Sequence, residues 1–184
     1  MTHITQLRKD FNKKGFKSGA SMIRISFWYI ISTLFFQTGL IPFSNIMVLT
    51  LRLFGARIGK DVRIKPGIRI KYPWKLHVDD HTWLAGCHIE NLDHVSIGKH
   101  VCVSQEAMLL TGNHNYKSAS FDLVTQPIRI QDGAWIGAKA VVCPGVTVAS
   151  HAVLSVGSIA TKNMESYMVY QGNPATKLRR RIIL

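Results

Sequence analysis

The residue of this chain best placed to do chemistry is the histidine of Thr111-Gly112-Asn113-His114. A neutral imidazole near its ordinary pKa takes a proton from an alcohol or amine at physiological pH, and the flanking glycine and asparagine allow a tight turn that exposes it. Five further histidines, His77, His81, His88, His94 and His100, raise a zinc site as a rival chemistry. The cysteines offer neither: Cys87, Cys102 and Cys143 are odd in number, form no CxxC pair and lie in no nucleophile motif. Reduced thiols acting as small buried hydrophobes, in a reducing compartment, fit them.

These residues must be positioned by a six-residue ladder. Ile130, Ile136, Val142, Val148, Leu154 and Ala160 are all apolar, and Ala134, Ala140, Val146, Ala152 and Ser158 follow the first five by four residues. Neither a helix nor a simply alternating strand has that period. It predicts an all-β solenoid, a parallel β-helix whose turn is a triangle of three flat strands. Residues six apart lie on successive walls and residues eighteen apart stack, so Ile136 should sit beneath Leu154. The same period opens at Ile58, Ile64 and Ile70, resumes two residues out of phase at Val78 and Leu84, and continues through Ile97, Val103 and Leu109. Gly59, Gly98 and Gly137 each follow a ladder residue, where a corner calls for unusual dihedrals.

The period breaks from Gly112 to Pro127. This insertion must leave the coil as a loop, and loops on a rigid scaffold concentrate site residues. Asn113 and Tyr116 therefore join His114 as candidates, on the acceptor side of a reaction. Three segments follow: a basic arm and apolar helical extension at 1–54, the β-helix at 55–162 with its loop at 112–127, and a basic C-terminal segment at 163–184. The arm carries Arg8, Lys9, Lys13, Lys14 and Lys17 against Asp10. Met22 to Ile41 has only Arg24 as a charge, but polar residues and Gly39 interrupt it, and no small-residue cleavage site closes it. It suits helices packed on the open end of the solenoid, an interfacial membrane anchor helped by the arm, or, least well, a span.

The chain has 23 Lys and Arg against 10 acids, a formal net charge of +13. Nucleic acid, an anionic membrane surface or a phosphorylated ligand would each account for that. Arg57, Arg63, Arg69 and Lys75 recur at the repeat period, which spreads them over three walls as a solvated exterior. A nucleic-acid face needs a contiguous patch with interleaved aromatics, and these repeats supply none.

Ile130-Gln-Asp-Gly-Ala-Trp135-Ile136-Gly137, Cys143-Pro-Gly-Val-Thr147, Gly157-Ser-Ile-Ala-Thr161-Lys162 and Gly172-Asn173-Pro174-Ala175 together resemble the hexapeptide-repeat acyltransferases. These have a left-handed β-helix, and the likeness is to the sugar O-acetyltransferases of the maltose, galactoside and nodulation type. Leu51-Arg-Leu-Phe-Gly55-Ala-Arg-Ile-Gly59-Lys60, Tyr72-Pro-Trp74-Lys-Leu76 and the Thr-Gly-x-His of 111–114 are similar to the colanic-acid, or exopolysaccharide, acetyltransferases. The resemblance covers about residues 50–180.

It implies acetyl-CoA as co-substrate with no metal, a homotrimer with the cofactor between neighbouring β-helices, and direct transfer to a sugar hydroxyl. His114 would be the general base and a backbone N–H the oxyanion donor. Trp135, Ala138, Val156, Thr161 and Arg179 would line the cofactor site, with Lys162 and Lys177 as phosphate partners. Where the colanic-acid group tends to carry asparagine, this chain has His88, so His88, Glu90 and Asn91 are further acceptor-site candidates. The implied setting is exopolysaccharide, capsule or lipopolysaccharide biosynthesis in the cytoplasm, at the inner membrane face if the acceptor is lipid-linked. An amino-sugar N-acyltransferase, a metal hydratase of the γ-carbonic-anhydrase kind and a non-catalytic membrane scaffold are the rival readings.

Overall fold

The structure, a computed structural model, describes residues 4–7 and 16–184; of the basic arm, Arg8, Lys9, Asp10, Lys13 and Lys14 lie outside the described residues. Strands of two or three residues wind through five complete coils and pair in parallel with the coils above and below. Wall A holds Arg57–Ile58, Leu76–Val78, Val95–Ile97, Ile128–Ile130 and Thr147–Val148. Wall B holds Arg63–Ile64, Trp83–Leu84, Cys102–Val103, Trp135–Ile136 and Val153–Leu154, and continues into Met168–Gly172 and Ala175–Arg180. Wall C holds Arg69–Ile70, His88–Glu90, Met108–Leu110, Val141–Val142 and Ile159–Ala160.

The predicted stacking holds: Ile136 pairs with Leu154, Ile130 with Val148 and Val142 with Ala160. Ladder residues point inward and their neighbours outward, because strand side chains alternate. Ile64, Leu84, Val103, Ile136 and Leu154 make one fully buried column. The two-residue slip is taken up at the corner between walls C and A, where Pro73–Lys75 form a 3-10 turn. There the even spread of cations fails. Lys75 is no wall residue; its ammonium donates to the carbonyls of Lys17 and Leu92, and burial lowers its pKa.

The glycines have a different reason from the one their position suggests. Positive φ falls two residues later, at Asp61, His100 and Lys139, not at Gly59, Gly98 or Gly137. A Cβ on Gly59 would lie 2.6 Å from the backbone nitrogen of Asp80, and one on Gly137 would lie 2.7 Å from that of Val156. Close approach of the next coil excludes a side chain there.

Two helices, α1 (Met22–Ile31) and α2 (Ser44–Leu53), joined through a π-helical stretch at Ser32–Gln37, pack on the first coil. Trp28 is buried against Phe36 and Phe54 and donates its indole N–H to the Ile70 carbonyl at 2.8 Å. Ser44 Oγ accepts from Ile64 N, and Arg52 donates to the carbonyls of Ile58 and Gly59. Among the described residues no helix is long and apolar enough to cross a membrane. The outer faces still expose Ile23, Phe27, Ile30, Leu40, Phe43, Leu49 and Leu53.

Gly59→Ala should therefore lower unfolding stability by about 1–3 kcal/mol, read from urea or thermal denaturation, since the backbone it meets has to move.

Candidate active site

The insertion leaves wall C after Leu110 and forms a two-stranded antiparallel ribbon, Gly112–His114 against Leu123–Thr125. Its root is fixed by Thr111, whose buried hydroxyl accepts from Asp93 N and donates to the Glu90 carbonyl, each at 2.9 Å. At its far end the hydroxyls of Ser118 and Ser120 both donate to the buried Asp122 carboxylate. The ribbon is thus a braced element.

His114 is half-buried in it. Its Nδ1 lies 2.8 Å from the Phe121 carbonyl, and its ring stacks on the Phe121 ring at 4.4 Å and 8°. A carbonyl can only accept, so Nδ1 carries the hydrogen and the neutral ring leaves the Nε2 lone pair available as a base. Asn113 is exposed and turns its Oδ1 back to His114 N at 2.8 Å, which shapes the strand rather than reaching outward. Tyr116 is exposed.

The other acceptor-side candidates separate into two kinds. His88 and Glu90 project from wall C into a cleft of about 230 Å³ between that wall and α1, also lined by Arg69, Lys71, Tyr29 and Tyr72. His88 Nε2 is 3.2 Å from Glu90, which also pairs with Lys71. Burial pushes the Glu90 carboxyl up, but hydrogen bonds from His88 and Lys71 outweigh it and hold the group below its usual range. Asn91 cannot serve in that cleft. It is fully buried, with Oδ1 accepting from Tyr72 N and Nδ2 donating to Tyr72 O, so its polarity is used to hold the 3-10 corner.

A separate groove of about 830 Å³ runs along the corner between walls B and C and under the C-terminal hairpin. Its floor is Gly137, Ala138, Leu154 and Val156; Trp135 forms one side and Arg179, Arg180 and Arg181 the rim. The Trp135 indole is fixed by its N–H to Ser104 Oγ at 2.9 Å. The hairpin pairs Arg179 with Val169, and its turn contains the cis peptide Asn173-Pro174. Arg181 is tied to the carbonyls of Gly133 and His151, whereas Arg179 and Arg180 form no ion pair among the described residues.

The groove gathers Trp135, Ala138, Val156 and Arg179 and leaves out three of the expected contacts. Thr161 and Lys162 are exposed after the last wall C strand, and Lys177 is held by both Glu165 oxygens at 2.8 Å. That hydrogen-bonded pair raises the Lys177 pKa and occupies the charge intended for phosphate. Ser104, Gln105 and Ser155 line the groove without having been singled out. Ser104, Gly137 and Ser155 each follow a wall B ladder residue, so stacking the repeats would have found the two serines. His114 is not among the groove's lining residues.

The histidines do not converge. His77 faces Asp79, His81 stacks on His100 with centroids 4.9 Å apart, and His88 is on another wall. Among the described residues no three His, Cys, Asp or Glu groups are placed to hold a metal. Of the thiols only Cys87 is fully buried, its pKa pushed up to about 12 by burial, while Cys102 and Cys143 are partly exposed, so the small-hydrophobe role holds in full for Cys87 alone.

Comparison with known proteins decides the family. WcaF of Escherichia coli (strain K12), which bears the provisional name of a colanic acid biosynthesis acetyltransferase, is 34% identical over 170 residues, covering 92% of this chain and 93% of that protein. The chain belongs to the hexapeptide-repeat acetyltransferase superfamily. A maltose O-acetyltransferase from Clostridium difficile 630 superposes with a TM-score of 0.79 at 22% identity, covering 88% of both chains. The hexapeptide-repeat acetyltransferase VCA0836 from Vibrio cholerae O1 biovar eltor, complexed with acetyl coenzyme A, superposes with a TM-score of 0.81 at 18% identity over 93% of this chain and 95% of that one. The solenoid and its helical start match the left-handed β-helix acetyltransferases. No family model matches the chain.

If the groove takes a polyphosphate, Arg179→Ala should weaken coenzyme A binding by about tenfold in calorimetry, the scale of one charge-assisted hydrogen bond. Lys177→Ala, which removes a cation already paired, should leave the affinity unchanged.

Proposed function

We propose that the protein transfers the acetyl group of acetyl-CoA to a hydroxyl of a sugar during exopolysaccharide, capsule or lipopolysaccharide biosynthesis. The observation that carries this reading is the tautomer of His114. With Nδ1 bound to the Phe121 carbonyl, Nε2 is a base with a fixed direction on a braced ribbon.

The groove has the chemistry that coenzyme A requires. Its floor is apolar for the pantetheine chain, and Arg179 and Arg180 at the rim carry charge for phosphates. Nε2 removes the proton of the acceptor hydroxyl as the oxygen attacks the thioester carbonyl. A backbone N–H holds the oxyanion, and the C–S bond breaks to release the thiolate, which takes up a proton from the imidazolium. No acyl-enzyme forms.

His114 is not among the residues that line the groove, and a neighbouring copy would bring base and thioester together. A homotrimer supplies that arrangement. The acceptor side would combine His114 with the His88 and Glu90 cleft. His114→Ala should reduce acetyl-CoA turnover by about 10² to 10⁴-fold, measured as thiol release with sugar acceptors. Coenzyme A affinity should stay unchanged; unchanged turnover would sink the assignment.

The apolar outer faces of α1 and α2 support a cytoplasmic enzyme lying peripherally on the inner membrane face, where a lipid-linked acceptor would be found. Deleting the helices would strip Trp28 and Phe36 from the core, so the clean variant is Ile23→Ser with Phe27→Ser and Ile30→Ser. It should lose co-sedimentation with anionic vesicles while keeping its unfolding midpoint.

A further inference from the structure

Charge is graded along the solenoid axis. The first coil carries Arg57, Lys60, Arg63, Lys65, Arg69 and Lys71 against a single acid, Asp61. From Leu76 to Gly98, through the second coil and into the third, there is no Lys or Arg, while Asp79, Asp80, Glu90 and Asp93 are present. The arginines that recur at the repeat period are spread around three walls, and the same period holds them at one height, as a collar. Lys71 is paired with Glu90 and Arg63 lies over the Trp83 ring. Arg57, Lys60, Lys65 and Arg69 are exposed and form no ion pair among the described residues. A coil of free cations set against a coil of acids is more than a solvated exterior needs.

The collar encircles the helical cap. Met22 to Leu53 holds two charges, Arg24 and Arg52, and both guanidiniums are drawn inward to main-chain carbonyls, the first to Phe54 and the second to Ile58 and Gly59. The outer face is left apolar, with Phe27 61%, Phe43 64% and Leu53 75% exposed. Cap and collar are joined directly. Gly67 N donates to the Phe36 carbonyl at 2.7 Å, which sets Lys65 beside that end of the cap, and Arg52 binds the residue before Lys60.

An apolar face this broad marks an interaction site, and its rim selects the occupant. Two copies meeting cap to cap would press collar on collar, and nucleic acid would gain nothing from the uncharged centre. A bilayer with anionic headgroups satisfies both parts, acyl chains against the cap and phosphates around it. The acids of the second coil stand about 4.8 Å behind the collar, within the Debye length of about 8 Å, so the same surface repels them and resists tilting.

We propose that the first coil is a collar for anionic phospholipid, which seats the cap on the bilayer with the solenoid axis upright. This rests on the peripheral-membrane reading and deepens it by naming the lipid class and the orientation. Trp135 lies three coils beyond Arg63, about 14 Å further from the surface, so the groove stays open to water.

The test is co-sedimentation of the full chain with phosphatidylcholine vesicles that contain or lack phosphatidylglycerol, in low and in physiological salt. Wild type should prefer the anionic vesicles, and salt should erode the preference. Arg57→Gln with Lys60→Gln and Lys65→Gln should weaken anionic-vesicle binding by about a hundredfold, about fivefold for each cation, and leave binding to phosphatidylcholine unchanged. Lys117→Gln with Lys139→Gln and Lys162→Gln removes as much charge from the ribbon and the far coils, and should bind both vesicles as wild type does. All six side chains are exposed, so unfolding midpoint and oligomeric mass should be unchanged. Equal losses in the two variants would make net charge the cause and overturn the collar. Equal wild-type binding to the two vesicles, or a changed oligomeric mass in the collar variant, overturns it as well. Wild type that binds neither vesicle would instead overturn the peripheral-membrane reading itself.

Discussion

Everything in this molecule depends on the hydrogen-bonded spacing of one coil upon the next. Flat two-residue strands stack at the separation of a parallel sheet, and at the corners the approach is closer still, leaving no volume for a Cβ at Gly59 or Gly137. That spacing converts a period along the chain into straight columns. An inward column becomes core, and an outward one becomes a surface whose residues are regularly placed without any loop to hold them. The groove and the wall C cleft are outward columns or the corners between them.

Catalytic geometry requires a departure from this regularity, since strands two residues long cannot present a base away from the wall. The excursion after Leu110 meets that need with a ribbon of its own, rooted by Thr111 and closed by Asp122. Its rigidity is what makes the Phe121 carbonyl a fixed partner for the His114 ring. A flexible loop would let the imidazole exchange tautomers, and the base would lose its direction.

Where the period ran unbroken, the sequence was fully legible: from Ile130 to Ala160 each residue could be assigned a wall. The period gave Trp135, Ala138 and Val156 their places on the coil, but it was the resemblance to the hexapeptide-repeat acyltransferases that assigned them to one cofactor site, and the groove gathers them. Contacts made by folding back were hidden. The pairing of Lys177 with Glu165 and of His114 with Phe121 both depend on hairpin register, which no repeat encodes. Asn91 became an acceptor candidate through the departure at His88 from the pattern of the colanic-acid group, which says nothing of burial. Its burial follows from the irregular corner at Tyr72, where the unpaired backbone of the extra residues needs an internal partner. Gly59, Gly98 and Gly137 were read correctly as corner residues and for the wrong cause, since a steric exclusion between coils leaves the same mark as a dihedral requirement.

The way α1 and α2 sit on the first coil bears on how long the solenoid can grow. A parallel β-helix ends in three open strand edges, each able to template another chain and extend into a fibre. Here each edge is met by a different group: Arg52 binds the wall A carbonyls, Ser44 takes the wall B amide of Ile64, and the Trp28 indole takes the wall C carbonyl of Ile70. At the opposite end Ala175–Arg180 turns antiparallel on Met168–Gly172, which ends the winding. A stack that could in principle add coils without limit is thereby held as a discrete particle, and the helical extension acts as its anti-polymerisation plug.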